Sequence, residues 1–235
     1  TASGTALQQK AGIDDNPDDH EEDAGRFSPP EIETRCNCSL RRFFLGHAAE
    51  TLDWMMGMGL AFHGPSPEPP NRVPRMHNVV PNAKAYVATF QSRLLRHGGT
   101  ILCNVPTRVL NQDGDGVTGV VASINGEPRA FRARRGVVLA AGDYSNAPEI
   151  IGQFKGEQFT AIEGINPNAH GDGHRLAERA GAKLLNMDVT YGPELRFVAP
   201  PGNTFEQLLP SQGIGARLMD WMLPLVPKSV IHWMV

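Results

Sequence analysis

The chain has 235 residues, 40% of them hydrophobic and 20% charged, an ordinary balance for a globular protein with apolar side chains enough for a core. A formal net charge of -3 gives no electrostatic reason to expect nucleic acid or an anionic membrane as partner. Of the three cysteines, Cys36 and Cys38 are too close in sequence for an ordinary disulfide and Cys103 falls in an expected strand. That excludes a disulfide framework, and with no secretory signal at the start a reducing, cytoplasmic setting is expected.

Residues 1–30 are polar and carry Asp14, Asp15, Asp18, Asp19, Glu21, Glu22 and Asp23 close together, so a loop or short surface helix with a solvated acidic face is expected. From Arg41 onward Phe44, Ala48, Leu52, Met55 and Met56 recur at helical spacing, and Gly57 and Gly59 close that amphipathic helix. A proline-rich connection follows over 65–74. A second helix starts near Pro81 and Asn82, buries Tyr86, Phe90 and Leu94, and ends at His97, Gly98 and Gly99. Strands are expected over 100–104, 107–112, 117–124 and 128–133, the last three forming an antiparallel meander with Asp113-Gly114-Asp115-Gly116 and Asn125-Gly126 as turns.

The run from Val137 to Ala141 reads as a buried parallel strand that ends in Ala140, Ala141 and Gly142, where small side chains let a ligand approach the backbone. Asn146 can cap a helix through Pro148 and Glu149, and Gly171-Asp172-Gly173 opens another whose first turn offers N–H groups to oxygen atoms. Asp172 can cap that helix, reach a ribose or ribityl hydroxyl, or do both. No glycine-rich strand-to-helix turn lies between Thr1 and Val137, so the usual pyrophosphate cradle is not found in this stretch. Ile214, Leu218, Trp221, Met222 and Leu225 mark a last amphipathic helix, read as a core stripe or as a face that favours self-association. Asp220, Pro224, Pro227 and Lys228 interrupt this apolar end and argue against a membrane span. A first residue other than Met and an end on IHWMV suggest an internal fragment.

In order and spacing, AETLDWMMGMG (49–59), RLLRHGGTILCN (93–104), VVLAAGDYSNAPEII (137–151) and GDGHRLAERAGAKLLNMD (171–188) together resemble one family. It comprises the flavoprotein subunits of fumarate reductase and succinate dehydrogenase and the 3-ketosteroid dehydrogenases built on the same FAD-binding plan. The resemblance runs from Gly4 to Tyr191, and GPELRFVAPP (192–201) is more similar to the steroid dehydrogenase branch. It implies an α/β fold: a Rossmann-like FAD-binding domain over 1–145, lacking its first βαβ unit and carrying the β-meander, then the start of an α+β substrate cap over 146–235. FAD is the implied cofactor, and a small molecule the implied substrate.

Hydride transfer between flavin and a carbon–carbon bond of a hydrophobic, steroid-like or dicarboxylate substrate is the activity implied. Ala140, Ala141 and Gly142 would lie against the adenosine half, Thr107 would touch adenine through its backbone, and Asp172 would reach a sugar hydroxyl. Each has a plainer reading: a packed strand end, a β-branched edge residue and a helix cap. Gly4 and Thr5 resemble the end of a flavin-facing loop. Tyr191 is the candidate for proton handling, with Glu194, Arg196 and His170 behind it. Asp143 stands where the family often has a second glycine, and its carboxylate has to turn away from a pyrophosphate. The fragment alone is expected to bind flavin poorly. The rival reading is a truncated, inactive remnant that binds a partner at most. Eight histidines without ligand spacing give no case for a metal.

Overall fold

The computed structural model describes residues 1–114, 116–189, 209–210, 213–222 and 225. Two compact units form, one comprising Thr1–Thr100 with Ala199–Val235 and the other Ile101–Val198, so Ser145 lies inside the second.

The first unit opens with three short helices, α1 (Ala6–Lys10), α2 (Pro17–Ala24) and α3 (Pro30–Glu33). Thr5 and Gln8 close a capping box on α1, and the Asn16 side chain accepts the Asp19 N–H at 3.0 Å to start α2. The long helix α4 (Cys38–Gly57) starts three residues before the expected Arg41, because the Asn37 side chain accepts the Leu40 N–H at 3.0 Å. Strands β1 (Ala61–Ser66) and β2 (Met76–Val80) pair antiparallel in the register Phe62↔Val79, and the register shifts between His63 and Ser66. Sequence reading expected only a proline-rich connection here. Helix α5 (Lys84–Arg96) follows and ends with Gly98 at φ 77°.

Leu52, Leu60, Phe62 and Ala85 form the core of this unit, with Met55, Met56, Val79 and Tyr86 packed around them. The buried face of α5 is rotated from the expected one: Ala85 and Thr89 are buried while Phe90 and Leu94 are exposed. Small residues let α5 approach β2, and the larger side chains are left at the margin. Phe44 on α4 is likewise exposed.

The acidic segment is a second correction, since part of it is interior. Arg75, with no exposed surface, holds Asp15 through two bonds of 2.7 Å and Asp23 through one of 2.6 Å. Arg72 adds a backbone and a side-chain bond to Asp23, each 2.9 Å. Composition around residue 20 could not show this, because the matching cations come from a loop about fifty residues on.

In the second unit β3 (Thr107–Asp113), β4 (Gly116–Ile124) and β5 (Glu127–Arg132) form the expected antiparallel meander in the order β3-β4-β5. Asn125 and Gly126 both adopt positive φ, as a two-residue hairpin turn requires. Helix α6 (Pro148–Phe154) has Ala147, not Asn146, at its cap position. Asn146 instead accepts the Gly164 N–H and donates to the Asn166 carbonyl, tying down the loop. A single 3-10 turn over Glu157–Phe159 leads to α7 (Asp172–Arg179), and Ala147, Ile150 and Met187 form a small core.

Residues 100–104 and 137–141 are not strands. Leu102, Val138 and Leu139 are exposed, Val138 to 89%, which corrects the expected buried parallel strand. A strand is held by a ladder of neighbouring backbone groups, and the described strands of this unit all belong to the meander. The last described helix, α8 (Gly213–Met222), belongs to the first unit and exposes Ile214, Leu218, Trp221 and Met222. Among the described residues the architecture combines helices with one two-stranded and one three-stranded antiparallel sheet. Among the described residues no helix is long and apolar enough to cross a membrane, and no cluster could hold a metal ion.

Candidate functional site

Although Val137–Ala141 is not a strand, its end meets the start of α7 as the motif order suggests. A Cβ added to Gly173 would lie 3.1 Å from the Ala141 Cβ, so the two backbones touch through their smallest side chains. The Gly171 N–H donates to the Asp143 carbonyl at 3.1 Å. Gly171 itself sits at φ 72°, and a Cβ there would come within 2.5 Å of Ile150 Cδ1 and 3.0 Å of Tyr144 Cβ. Only glycine satisfies both the backbone and the space.

Above this contact Ala140, Ala141 and Gly142 are exposed, and no atom lies within 4 Å of a Cβ built on Gly142 at φ 77°. The result is an open ledge of small residues beside a helix start. No side chain caps α7, so the N–H groups of its first turn are left for solvent or a ligand oxygen. Asp172 is the first residue of the helix rather than its cap, which is Gly171. Its carboxylate is 74% exposed with Arg175 Nη1 at 3.4 Å, so the capping role expected for it is not the one it plays.

Asp143 accepts the Ser145 N–H at 2.7 Å. That bond and one from the Ser145 side chain hold its carboxyl below the usual carboxylate range. The carboxylate is thus held by its own loop. Arg175 bonds the His170 carbonyl and pairs with Glu149, joining α7 to α6, while His170 Nδ1 lies 3.0 Å from the Asn146 carbonyl. His170 therefore has a structural partner. Thr107 stands half-buried at the start of β3, opposite Ala122, and takes no part in the contacts around Gly173. Tyr191, Glu194 and Arg196 lie outside the described residues.

A second feature lies in the first unit, where sequence reasoning pointed to Gly4 and Thr5 but not to their partners or to the cavity beside them. The turn at Ser3-Gly4-Thr5 is pinned on all sides: Ala2 N–H donates to the Arg75 carbonyl at 3.1 Å, Ser3 Oγ lies 3.2 Å from His20 Nδ1, and Thr5 Oγ1 lies 3.0 Å from His77 Nε2. Gly4 takes φ 68°, as the resemblance to a flavin-facing loop would want of a glycine. Burial and then Arg75 push the His20 imidazole down to about 4, so this buried ring is neutral at pH 7. Beside the turn lies a cavity of about 780 Å³, lined by Ala2, Leu40, Phe44, Leu52, Phe62 and Tyr86 among others. The apolar stripe of α4 was legible, but one helix cannot show whether its stripe fills a core or walls a cavity.

The chain matches the family profile described as FAD binding domain over residues 1–213. It is 38% identical over 79 residues to a 3-oxosteroid 1-dehydrogenase of Comamonas testosteroni, covering 32% of this chain and 14% of that protein. Against the 3-oxosteroid 1-dehydrogenase of Mycolicibacterium smegmatis it is 29% identical over 161 residues, 63% of this chain and 28% of the relative. The chain thus spans well under a third of the length of these relatives.

Among solved structures it is similar to the open conformation of a flavocytochrome c3 fumarate reductase, with a TM-score of 0.68 at 23% identity over 77% of this chain and 32% of the other. It is also similar to the 3-ketosteroid-delta4-(5alpha)-dehydrogenase of Rhodococcus jostii RHA1 in complex with 4-androstene-3,17-dione, with a TM-score of 0.67 at 21% identity over 80% of this chain and 45% of the other. Both likenesses concern the fold. The chain belongs to the FAD binding domain family of flavoproteins, and its cofactor is FAD.

Proposed function

We propose that the chain is part of an FAD-dependent oxidoreductase that acts on a carbon–carbon bond of a hydrophobic, steroid-like small molecule. The observation that carries this is the ledge of Ala140, Ala141 and Gly142 packed on the glycine-flanked start of α7, in a chain of this family. The residues fit a dinucleotide, since the ledge is open where a Cβ on Gly142 would sit and the α7 N–H groups have no side-chain cap. In this reading Ala140, Ala141 and Gly142 face the adenosine half, the backbone at Thr107 meets the adenine, and the exposed Asp172 carboxylate accepts from a sugar hydroxyl. Bound FAD supplies the hydride chemistry.

What the chain's own residues add is binding, orientation and proton handling. The Tyr191 hydroxyl would exchange the proton at the substrate carbon next to a carbonyl. Residues 1–145 would serve the cofactor and 146–235 would begin the substrate cap. The mostly apolar wall of the first unit's cavity and the 3-oxosteroid dehydrogenase relatives support a hydrophobic substrate over a dicarboxylate. A cytoplasmic location and self-association through the apolar face of α8 complete the proposal.

The test is to express the full gene product containing this chain, and to assay its purified form with 3-oxosteroids and with fumarate, using an artificial electron donor or acceptor. Steroid turnover that Tyr191→Phe lowers at least about tenfold, a loss of about 1.4 kcal/mol of transition-state stabilisation, is expected. A product that reduces fumarate and leaves steroids untouched would overturn the substrate assignment.

A further inference from the structure

Cys36 and Cys38 flank the cap of α4 and have no part in the reading above. Their surroundings differ from those of ordinary loop thiols in three respects. First, the Cys38 side chain folds back towards Cys36, its Sγ lying 3.8 Å from the Cys36 carbonyl oxygen. Second, Cys36 and Asn37 belong to no helix or strand, so the backbone between the sulfurs is not locked in a ladder. Third, the Arg41 guanidinium, held 2.7 Å from Glu33, lies close enough to interact with both sulfurs. At Cys36 that cation pulls towards the reactive thiolate. The two are not equivalent, because Cys38 is exposed whereas Cys36 is half-buried. Burial pushes the Cys36 thiol up, against the pull of Arg41.

We propose that Cys36 and Cys38 form a redox pair which closes to an intramolecular disulfide by exchange with a low-molecular-weight disulfide such as oxidised glutathione. The exposed Cys38 thiolate attacks one sulfur of the small disulfide, forming a mixed disulfide and releasing one thiol. The Cys36 thiol then loses its proton to solvent and attacks the Cys38 sulfur, and the second thiol leaves. Two protein thiols are oxidised to one disulfide, and one small disulfide is reduced to two thiols. The Cys38 sulfur already lies against the Cys36 backbone, so the second, intramolecular step is faster than escape of the mixed disulfide. Cys36 also lines the cavity of the first unit, so the wall of that cavity differs between the two states.

The experiment takes the full gene product, with Cys103→Ser in a parallel sample, through glutathione buffers of increasing oxidising strength. It reads intact mass and disulfide-mapped peptides without reduction. Loss of two hydrogens with a peptide linking Cys36 to Cys38 is expected, in both samples and reversed by reduced glutathione. Cys36→Ser should instead hold a stable glutathione adduct on Cys38. If that variant does not fold, Cys38→Ser serves in its place: the bridge disappears, and mixed-disulfide formation at Cys36 is at least about tenfold slower than the first step at Cys38 in the wild type. A wild-type protein that stays fully reduced, that accumulates a lasting glutathione adduct, or that pairs Cys103 would overturn the proposal.

Discussion

Arg75 decides more of the first unit than any other single side chain. It has no exposed surface, and its bonds to Asp15 and Asp23 are matched on the other side of Asp23 by Arg72. Removing one partner of such a pair leaves an uncompensated buried charge, so Arg75→Ala should lower stability by about 3–5 kcal/mol, read as a shift in the urea midpoint. The same cluster sets the acid sensitivity. Burial works against ionisation of Asp15 and Asp23, but the bonds from Arg75, Arg72 and Gln8 outweigh it and both pKa values fall. Their contribution is therefore complete above the unfolded carboxylate range and is lost as pH falls through the folded values.

His20 acts earlier on the pH scale, because its folded pKa is about 4 against an ordinary 6.5. A buried imidazole that resists protonation makes the unfolded chain bind more protons between those values, so stability falls as pH drops from 6.5 towards 4. The urea midpoint measured across that range should decline in the wild type and decline less in His20→Gln. An unchanged slope in the variant would remove His20 from the account. None of this was legible from the acidic run, since charge density in sequence does not say which carboxylates meet an arginine.

The helices α4 and α5 and the β3-β4-β5 meander were legible because their signals are local: a helical period, a closing glycine, an Asn-Gly turn. The β1-β2 pair was not, because its strands are joined by a proline-rich stretch with no hairpin signal and meet only through tertiary pairing. Val137–Ala141 failed in the opposite direction. Its apolar run is a strong strand signal, yet a run becomes a strand only beside another strand. The end of that motif nevertheless meets Gly173, because the contact of Ala141 with Gly173 depends on small residues rather than on a ladder. Gly173→Val should push on Ala141 and lower FAD affinity at least about tenfold, or ~1.4 kcal/mol, with the helical circular dichroism kept. Asn16→Ala, which removes the cap of α2, should cost about 1 kcal/mol of stability and leave FAD affinity unchanged.

Across the molecule, the two compact units carry different parts of the account. The first holds the ion network, the pinned Ser3–Thr5 turn and the cavity, and the second holds the ledge at α7. Family membership could be read in the sequence from the order of four motifs, and the profile match over residues 1–213 agrees with it. The cavity and the buried charges were beyond such reading, since they arise from side chains far apart in sequence. Trp221, 69% exposed on α8, is the residue on which to test self-association: Trp221→Lys should shift the sedimentation of the full gene product towards monomer. The central claim is that the small-residue ledge and the start of α7 hold FAD. Its most direct test is the FAD affinity of the purified full gene product compared with that of Ala141→Leu, measured by quenching of flavin fluorescence. The account predicts a yellow wild type and at least about a tenfold weaker Ala141→Leu of unchanged fold. Equal affinity in a folded variant would contradict it.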